Sequence, residues 1–156
     1  DILNTYSLIE LTQIFRLYGE LKNAYKISQK IVEVRENESF KTIQQLKESL
    51  LHLAPRFKEN KFFAQIFQAL RIDVNREFES IYNFLEKLPD VLAKDGRVAI
   101  LSFHSGEDRL VKKSFKRLLR EGVYKEISSE IIRPTLEECN INRRARSTKM
   151  RWAIKA

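Results

Sequence analysis

The sequence predicts a helix-rich α/β protein in two parts, a helical domain over residues 1–75 and a mixed domain over residues 76–156. Up to about residue 90, apolar residues recur at steps of three and four, the period of a helix buried on one side. Beyond Asp95-Gly96, a turn signal, the period changes and short apolar runs of strand length alternate with one helical stretch. The 156 residues, 43% hydrophobic and 32% charged, suffice for one core or two small ones.

In the first part, Leu8, Leu11, Ile14, Phe15 and Tyr18 define an amphipathic helix from Ser7 to Tyr18, ended by Gly19. A second helix is expected from Leu21 to Arg35, burying Ala24, Ile27, Ile31 and Val34. Ser39 is the expected cap of a third, with Ile43, Leu46, Leu50 and Leu53 turned inward until Pro55 stops it. The polar, basic stretch Arg56 to Asn60 is expected to be an exposed loop or hinge. A long helical region then runs from Lys61 to Leu88, broken near Asp73 to Arg76, with Pro89 ending it or starting another turn.

The second part opens on a strand from Arg97 to Phe103, whose run Val98 to Leu101 reads as covered on both faces. A helix follows at once, with Ser105 as N-cap, Asp108 closing a capping box, and Gly122 as the residue past its end. Ile127 to Ile132, with Pro134 beyond, reads as another strand. In the last, Met150 to Ile154, Met150, Trp152 and Ile154 alternate with Arg151, Ala153 and Lys155. So few strands leave an unpaired edge and one bare apolar face. A homodimer, a swapped assembly or a missing N-terminal half would cover them.

Charge is unevenly placed. Residues 1–95 hold 14 Lys and Arg against 14 Asp and Glu, whereas residues 96–156 hold 15 against 7, which accounts for the whole net charge of +8. That asymmetry points to a polyanionic partner. Arg109, Lys112, Lys113, Lys116, Arg117 and Arg120 read as the solvated face of the amphipathic helix, with Leu110, Phe115, Leu118 and Leu119 inward. Arg143, Arg144, Arg146, Lys149 and Arg151 form a sharper set, five cations in nine residues without an acid, suited to phosphate oxygens. The single Cys139 makes no internal disulfide, and with His52 and His104 it suggests no metal-ligand set. No apolar run reaches the roughly 20 residues of a membrane span, and Asp1, Asn4 and Glu10 stand where a secretory signal would be basic and apolar. A reducing cytoplasm is the expected setting.

Four ordered blocks carry a resemblance. Phe103-His104-Ser105-Gly106-Glu107-Asp108-Arg109 resembles the FHSLEDR signature of the MraW family, bacterial methyltransferases acting on cytosine N4 of small-subunit ribosomal RNA. Asn4-Thr5-Tyr6-Ser7 through Tyr18-Gly19-Glu20 is similar to that family's NTYS…YGE block, and Phe67 to Ile72 with Val74-Asn75 to its FQALRIxVN helix. Ile132-Arg133-Pro134, followed by Asn142 to Arg151, resembles its IRP…NPRARSAKLR segment. Three positions depart from the pattern: Gly106 replaces Leu, Arg143 replaces Pro, and Lys61 to Ile66 (KFFAQI) stands where HPATRT is usual, so that Gln65 replaces Arg.

The resemblance implies a helical substrate-recognition insert followed by the second half of a Rossmann-like methyltransferase domain. It implies S-adenosylmethionine as methyl donor and small-subunit ribosomal RNA as partner. Phe103, His104 and Ser105 would lie beside the extruded base. Gln68, Arg71 and Asn75 would line the RNA side, with Arg109, Arg144, Arg146, Ser147, Lys149 and Arg151 as further RNA contacts. None of the four glycines, at 19, 96, 106 and 122, forms a phosphate or nucleoside cradle, so the chain reads as a fragment without the donor site. A non-catalytic RNA-binding protein derived from the family, or a helical protein-interaction module with an incidental basic patch, are the alternatives.

Overall fold

The computed structural model describes residues 1–156. They form two compact units, Asp1–Glu77 and Phe78–Ala156.

The first unit is helical: α1 Ile2–Thr5, α2 Leu8–Leu17, α3 Ala24–Asn37, α4 Ile43–Leu50 with a 3-10 turn at Leu51–Leu53, and α5 Glu59–Val74. Its core joins Leu11, Ile14 and Phe15 of α2, Ile27 and Ile31 of α3, Leu46 and Leu50 of α4, and Phe62, Phe63, Ile66 and Ala69 of α5. Ser7 caps α2 reciprocally with Glu10. The cap of α4 is Thr42, paired with Gln45, not Ser39 as the sequence suggested; T-x-x-Q offers a side chain at both ends of the box, and the helix starts there. Ile43, at the first position of that helix, is 66% exposed and stands clear of the core it was expected to join.

Gly19 is needed for close approach. A Cβ there would meet the Gln65 carbonyl at 2.9 Å and Ala69 Cβ at 3.2 Å, while the left-handed turn falls to Glu20 (φ 53°). The helical region breaks where expected, at Asn75-Arg76, with Arg76 at φ 49°. The stretch after Pro55 is a short turn closed by Lys58 N–H donating to the Pro55 carbonyl (3.0 Å). The next helix, α6, spans Glu77–Val91 and keeps Pro89 within it rather than ending there.

The second unit contains β1 Arg97–Ser102, α7 Ser105–Arg120, β2 Tyr124–Ile127, α8 Leu136–Ile141, a 3-10 helix at Arg143–Ser147, and β3 Lys149–Lys155. The sheet order is β1-β3-β2, with β3 antiparallel to both neighbours. Leu85 and Leu88, Val111, Phe115 and Leu118 of α7, Tyr124 and Ala153 form the core, with Val98 and Ile100 packed against it.

Cross-strand pairs assign the faces. Val98 opposite Ala153 and Ile100 opposite Arg151 look into the core, whereas Arg97 opposite Ile154, Ala99 opposite Trp152 and Leu101 opposite Met150 lie on the other face. That second face is open: Leu101 is 57% exposed, and a shallow apolar cavity of about 540 Å³ lies over Ala99, Met150, Trp152 and Ile154. β1 is therefore covered on one face only, which corrects the expectation from its continuous apolar run, and the bare face is present.

The second strand lies earlier than the pattern Ile127 to Ile132 suggested. Gly122 (φ 74°) ends α7 in a Schellman arrangement, its N–H reaching Leu119 O (3.1 Å) and Val123 N–H reaching Leu118 O (2.9 Å). The chain then enters β2 directly, burying Tyr124. Ile132 makes only an isolated bridge to Met150. No helix is long and apolar enough to cross a membrane.

Candidate nucleic-acid interface

The corner Phe103-His104-Ser105 lies at the carboxyl end of β1, where α7 begins. Its cap is His104, not Ser105: His104 Nδ1 accepts from Glu107 N–H at 3.4 Å, and the Glu107 carboxylate accepts from Phe103 N–H (2.8 Å) and His104 N–H (3.3 Å). Ser105 is thereby the first helical residue. Asp108 is withdrawn from capping because Arg151 claims it, Nε to Oδ1 at 2.7 Å and Nη2 to Oδ2 at 3.2 Å, with both side chains almost fully buried.

Gly106 lies against Phe78, whose Cζ would be 2.5 Å from an added Cβ, and the Phe78 ring stacks on His104 at 6.0 Å and 27°. The His104 imidazole is held between a ring and a carboxylate. Phe103, in contrast, has its backbone fixed by Glu107 and its side chain 54% exposed, which makes its ring the accessible surface of the corner. Glu107 was overlooked in the sequence. Its signal is the three-residue step from His104, the spacing of a capping box.

The basic segment meets this corner through the sheet. Ser102, the last residue of β1, pairs with Lys149, the first of β3, and Ser102 Oγ donates to the Lys149 carbonyl at 3.4 Å. Residues 143–148 therefore enter the sheet at the edge where Phe103, His104 and Ser105 leave it. Arg143, Arg144, Arg146 and Ser147 are exposed and Lys149 is half-buried. No ion pair of the chain uses these cations.

Arg151 leaves the surface set. At 6% exposure, on the core side of β3 and paired through Nε and Nη2 with Asp108, its guanidinium is turned away from the surface. Arg109, on the first turn of α7, is exposed. Lys112, Lys113, Lys116 and Arg120 are the solvated face expected of that helix, and Arg117 pairs with Glu86 and Glu121.

Gln68, Arg71 and Asn75 belong to the first unit. Gln68 Nε2 donates to the Tyr18 carbonyl at 2.8 Å and Gln65 Nε2 to the Gly19 carbonyl at 2.8 Å, so these two amides satisfy carbonyls left over at the end of α2. Arg71 forms a fork with Glu77 (2.9 and 3.2 Å), and Asn75 Nδ2 donates to the same carboxylate at 3.1 Å. Beside them, Asp73 accepts the Tyr6 phenol at 2.8 Å, a bond that raises the Tyr6 pKa.

Over residues 1–156 the chain matches the profile of the MraW methylase family. It belongs to that family. It is 52% identical over 162 residues to ribosomal RNA small subunit methyltransferase H 1 of Lachnoclostridium phytofermentans, covering 99% of this chain and 44% of that protein. A second relative, ribosomal RNA small subunit methyltransferase H 2 of Alkaliphilus metalliredigens, is 51% identical, covering 99% of this chain and 46% of its own length. The corresponding protein of Elusimicrobium minutum is 41% identical over 155 residues, 99% of this chain and 53% of that protein. The chain thus spans about half the length of the curated relatives it matches.

A methyl donor such as S-adenosylmethionine finds no fitting cradle among the residues present. Gly19 and Gly106 are filled by helix packing, Gly96 closes the turn before β1, where a Cβ would meet the Ala93 carbonyl at 2.7 Å, and Gly122 ends α7. What the second unit offers is an exposed aromatic ring, a fixed strand-to-helix corner and a run of unpaired guanidinium groups at one edge of the sheet.

Proposed function

We propose that this chain is the acceptor-side part of an S-adenosylmethionine-dependent methyltransferase that modifies the N4 amine of a cytidine in small-subunit ribosomal RNA. The observation that carries the reading is the pairing of Ser102 with Lys149, which sets the Phe103 corner and the Arg143–Lys149 segment at one sheet edge. The names of the relatives support the substrate class. Residues 1–75 act as the substrate-recognition insert, presenting Gln68, Arg71 and Asn75, and residues 76–156 as the second half of the catalytic domain.

The chemistry asks for such a surface. A cytosine amine is a weak nucleophile because its lone pair is conjugated with the ring, so transfer depends on alignment and on acceptors that hold the amino hydrogens rather than on a strong base. The base leaves its stack and rests on an aromatic face. Phe103 supplies that face, while His104 and Ser105 bound the corner. Arg109, Arg144, Arg146, Ser147 and Lys149 hold the backbone. The donor binds on the part of the enzyme represented by the remaining half of the relatives' length.

Two measurements test this reading. Binding to a small-subunit ribosomal RNA fragment, followed against salt, should give a log–log slope of about −3 for roughly four neutralised phosphates, and Arg144→Ala with Arg146→Ala should weaken it without lowering the melting temperature. A flat salt response removes RNA as the partner. In calorimetry the chain alone should show no S-adenosylmethionine binding, and micromolar binding would overturn the assignment of the donor site to the rest of the enzyme.

A further inference from the structure

Thr135 caps α8 by accepting from Glu138 N–H at 3.1 Å, and Asn142 starts the following 3-10 helix by accepting from Arg144 N–H at 3.1 Å. Ala145, 6% exposed, fastens that short helix to the unit. Leu136, Cys139 and Asn140 are spaced for one face of α8, and Arg143 and Arg146 eclipse on the 3-10 helix that follows. Leu136, Cys139, Asn140, Arg143 and Arg146 together line a cavity of about 570 Å³, within the range of small-ligand clefts.

Its lining is chemically mixed in an informative way. Two guanidinium forks, matched by no carboxylate in the cavity wall, favour a phosphodiester oxygen. Asn140 offers a carboxamide, which both donates and accepts and so suits the edge of a base. Leu136 is 86% exposed, an apolar surface with nothing folded onto it. An acidic peptide would engage the two arginines and leave Leu136 and Asn140 without a role. An unstacked nucleotide uses all of them.

We propose that this cavity is a binding site for one nucleotide of single-stranded RNA, its phosphate on Arg143 and Arg146, its base against Leu136 and its edge at Asn140. The site rests on the RNA reading above and extends it from a basic surface to a cleft that holds an unpaired base. It shares Arg146 with the basic segment that enters the sheet beside the Phe103 corner and extends that grip on the strand to a single base.

Cys139, half-buried in the cavity wall and the only thiol of the chain, reports occupancy without any substitution. A ten-residue oligocytidylate at about ten times its dissociation constant should slow alkylation of Cys139 by iodoacetamide about tenfold, whereas polyglutamate of equal charge should not. Leu136→Ser, on a side chain too exposed to matter for folding, should weaken oligocytidylate binding about fivefold and leave the salt slope unchanged. Arg146→Ala should reduce that slope by about 0.7.

Binding of the oligonucleotide with unchanged Cys139 reactivity would overturn the nucleotide site while leaving the basic surface intact. Equal protection by polyglutamate would show a general anion site and also overturn it. Failure of the oligonucleotide and of the ribosomal fragment alike to bind would remove both readings.

Discussion

Replacing Asp108 by alanine leaves the Arg151 guanidinium in the core of the second unit without a counter-charge. The two side chains are 11% and 8% exposed and joined by two hydrogen bonds, so solvent does little to screen the loss. Removing one partner of such a pair costs about 3–5 kcal/mol, because the remaining charge stays buried. A unit of 79 residues is stable by roughly 4–12 kcal/mol, so the variant should stand near the edge of unfolding. With a urea dependence of about 1 kcal/mol per molar, the midpoint should fall by about 3 M or more.

Trp152 is the only tryptophan of the chain and lies beside Arg151 on β3, so its fluorescence follows the second unit alone. The companion variant Asp108→Leu with Arg151→Met removes both charges and fills the space with apolar groups, and it should recover most of the lost stability. A loss below about 1 kcal/mol for Asp108→Ala would refute the buried pair as described. So would a double variant as unstable as the sum of the two single ones.

Two other perturbations follow from the packing. Gly106→Leu, which restores the residue usual in the family, forces Phe78 off His104 and should destabilise the second unit by about 1–3 kcal/mol. Adding Phe78→Ala should rescue it, and a stable single variant would show that Phe78 moves freely. Tyr124 is 1% exposed with its hydroxyl unpartnered, and burial raises its pKa. Tyr124→Phe should therefore stabilise the unit by about 1 kcal/mol in urea titration near neutral pH. The folded state keeps this phenol protonated when the unfolded chain begins to release its proton near pH 10. Stability is thus unaffected below that pH and falls as pH rises above it, and the phenylalanine variant should lose this share of the alkaline decline. An unchanged decline would place the effect elsewhere.

Local signals carried most of the helical half. The three- and four-residue steps from Leu8 to Tyr18 and the break at Asn75-Arg76 need no distant information, and Gly122 marks the end of α7 through its own left-handed backbone. The departures from the local pattern lie where a distant residue decides. Ser105 and Asp108 form a sound capping box on paper, yet Arg151, 43 positions away, takes Asp108 and hands the cap to His104 and Glu107. Arg151 turns inward, and a run of cations gives no sign of which one does so. β2 was shifted because Ile127 to Ile132 is richer in β-branched residues than Tyr124 to Ile127, and only pairing with β3 selects the earlier stretch. The Thr135 cap of α8 was a local signal and could have been read. The cavity it helps build could not, since Arg146 joins the wall through the turn of the 3-10 helix.

The sheet order β1-β3-β2 constrains how the second unit is made. β1 and β2 never touch; each finds its hydrogen-bonding partner only in β3, the strand synthesised last. Before those residues leave the ribosome, α6, α7 and the two outer strands have an apolar layer but no ladder. The helical unit, built from nearer neighbours, has no such dependence on a late segment. The central strand is thus shared by both ladders, and a truncation that removes β3 abolishes the whole sheet rather than fraying its rim.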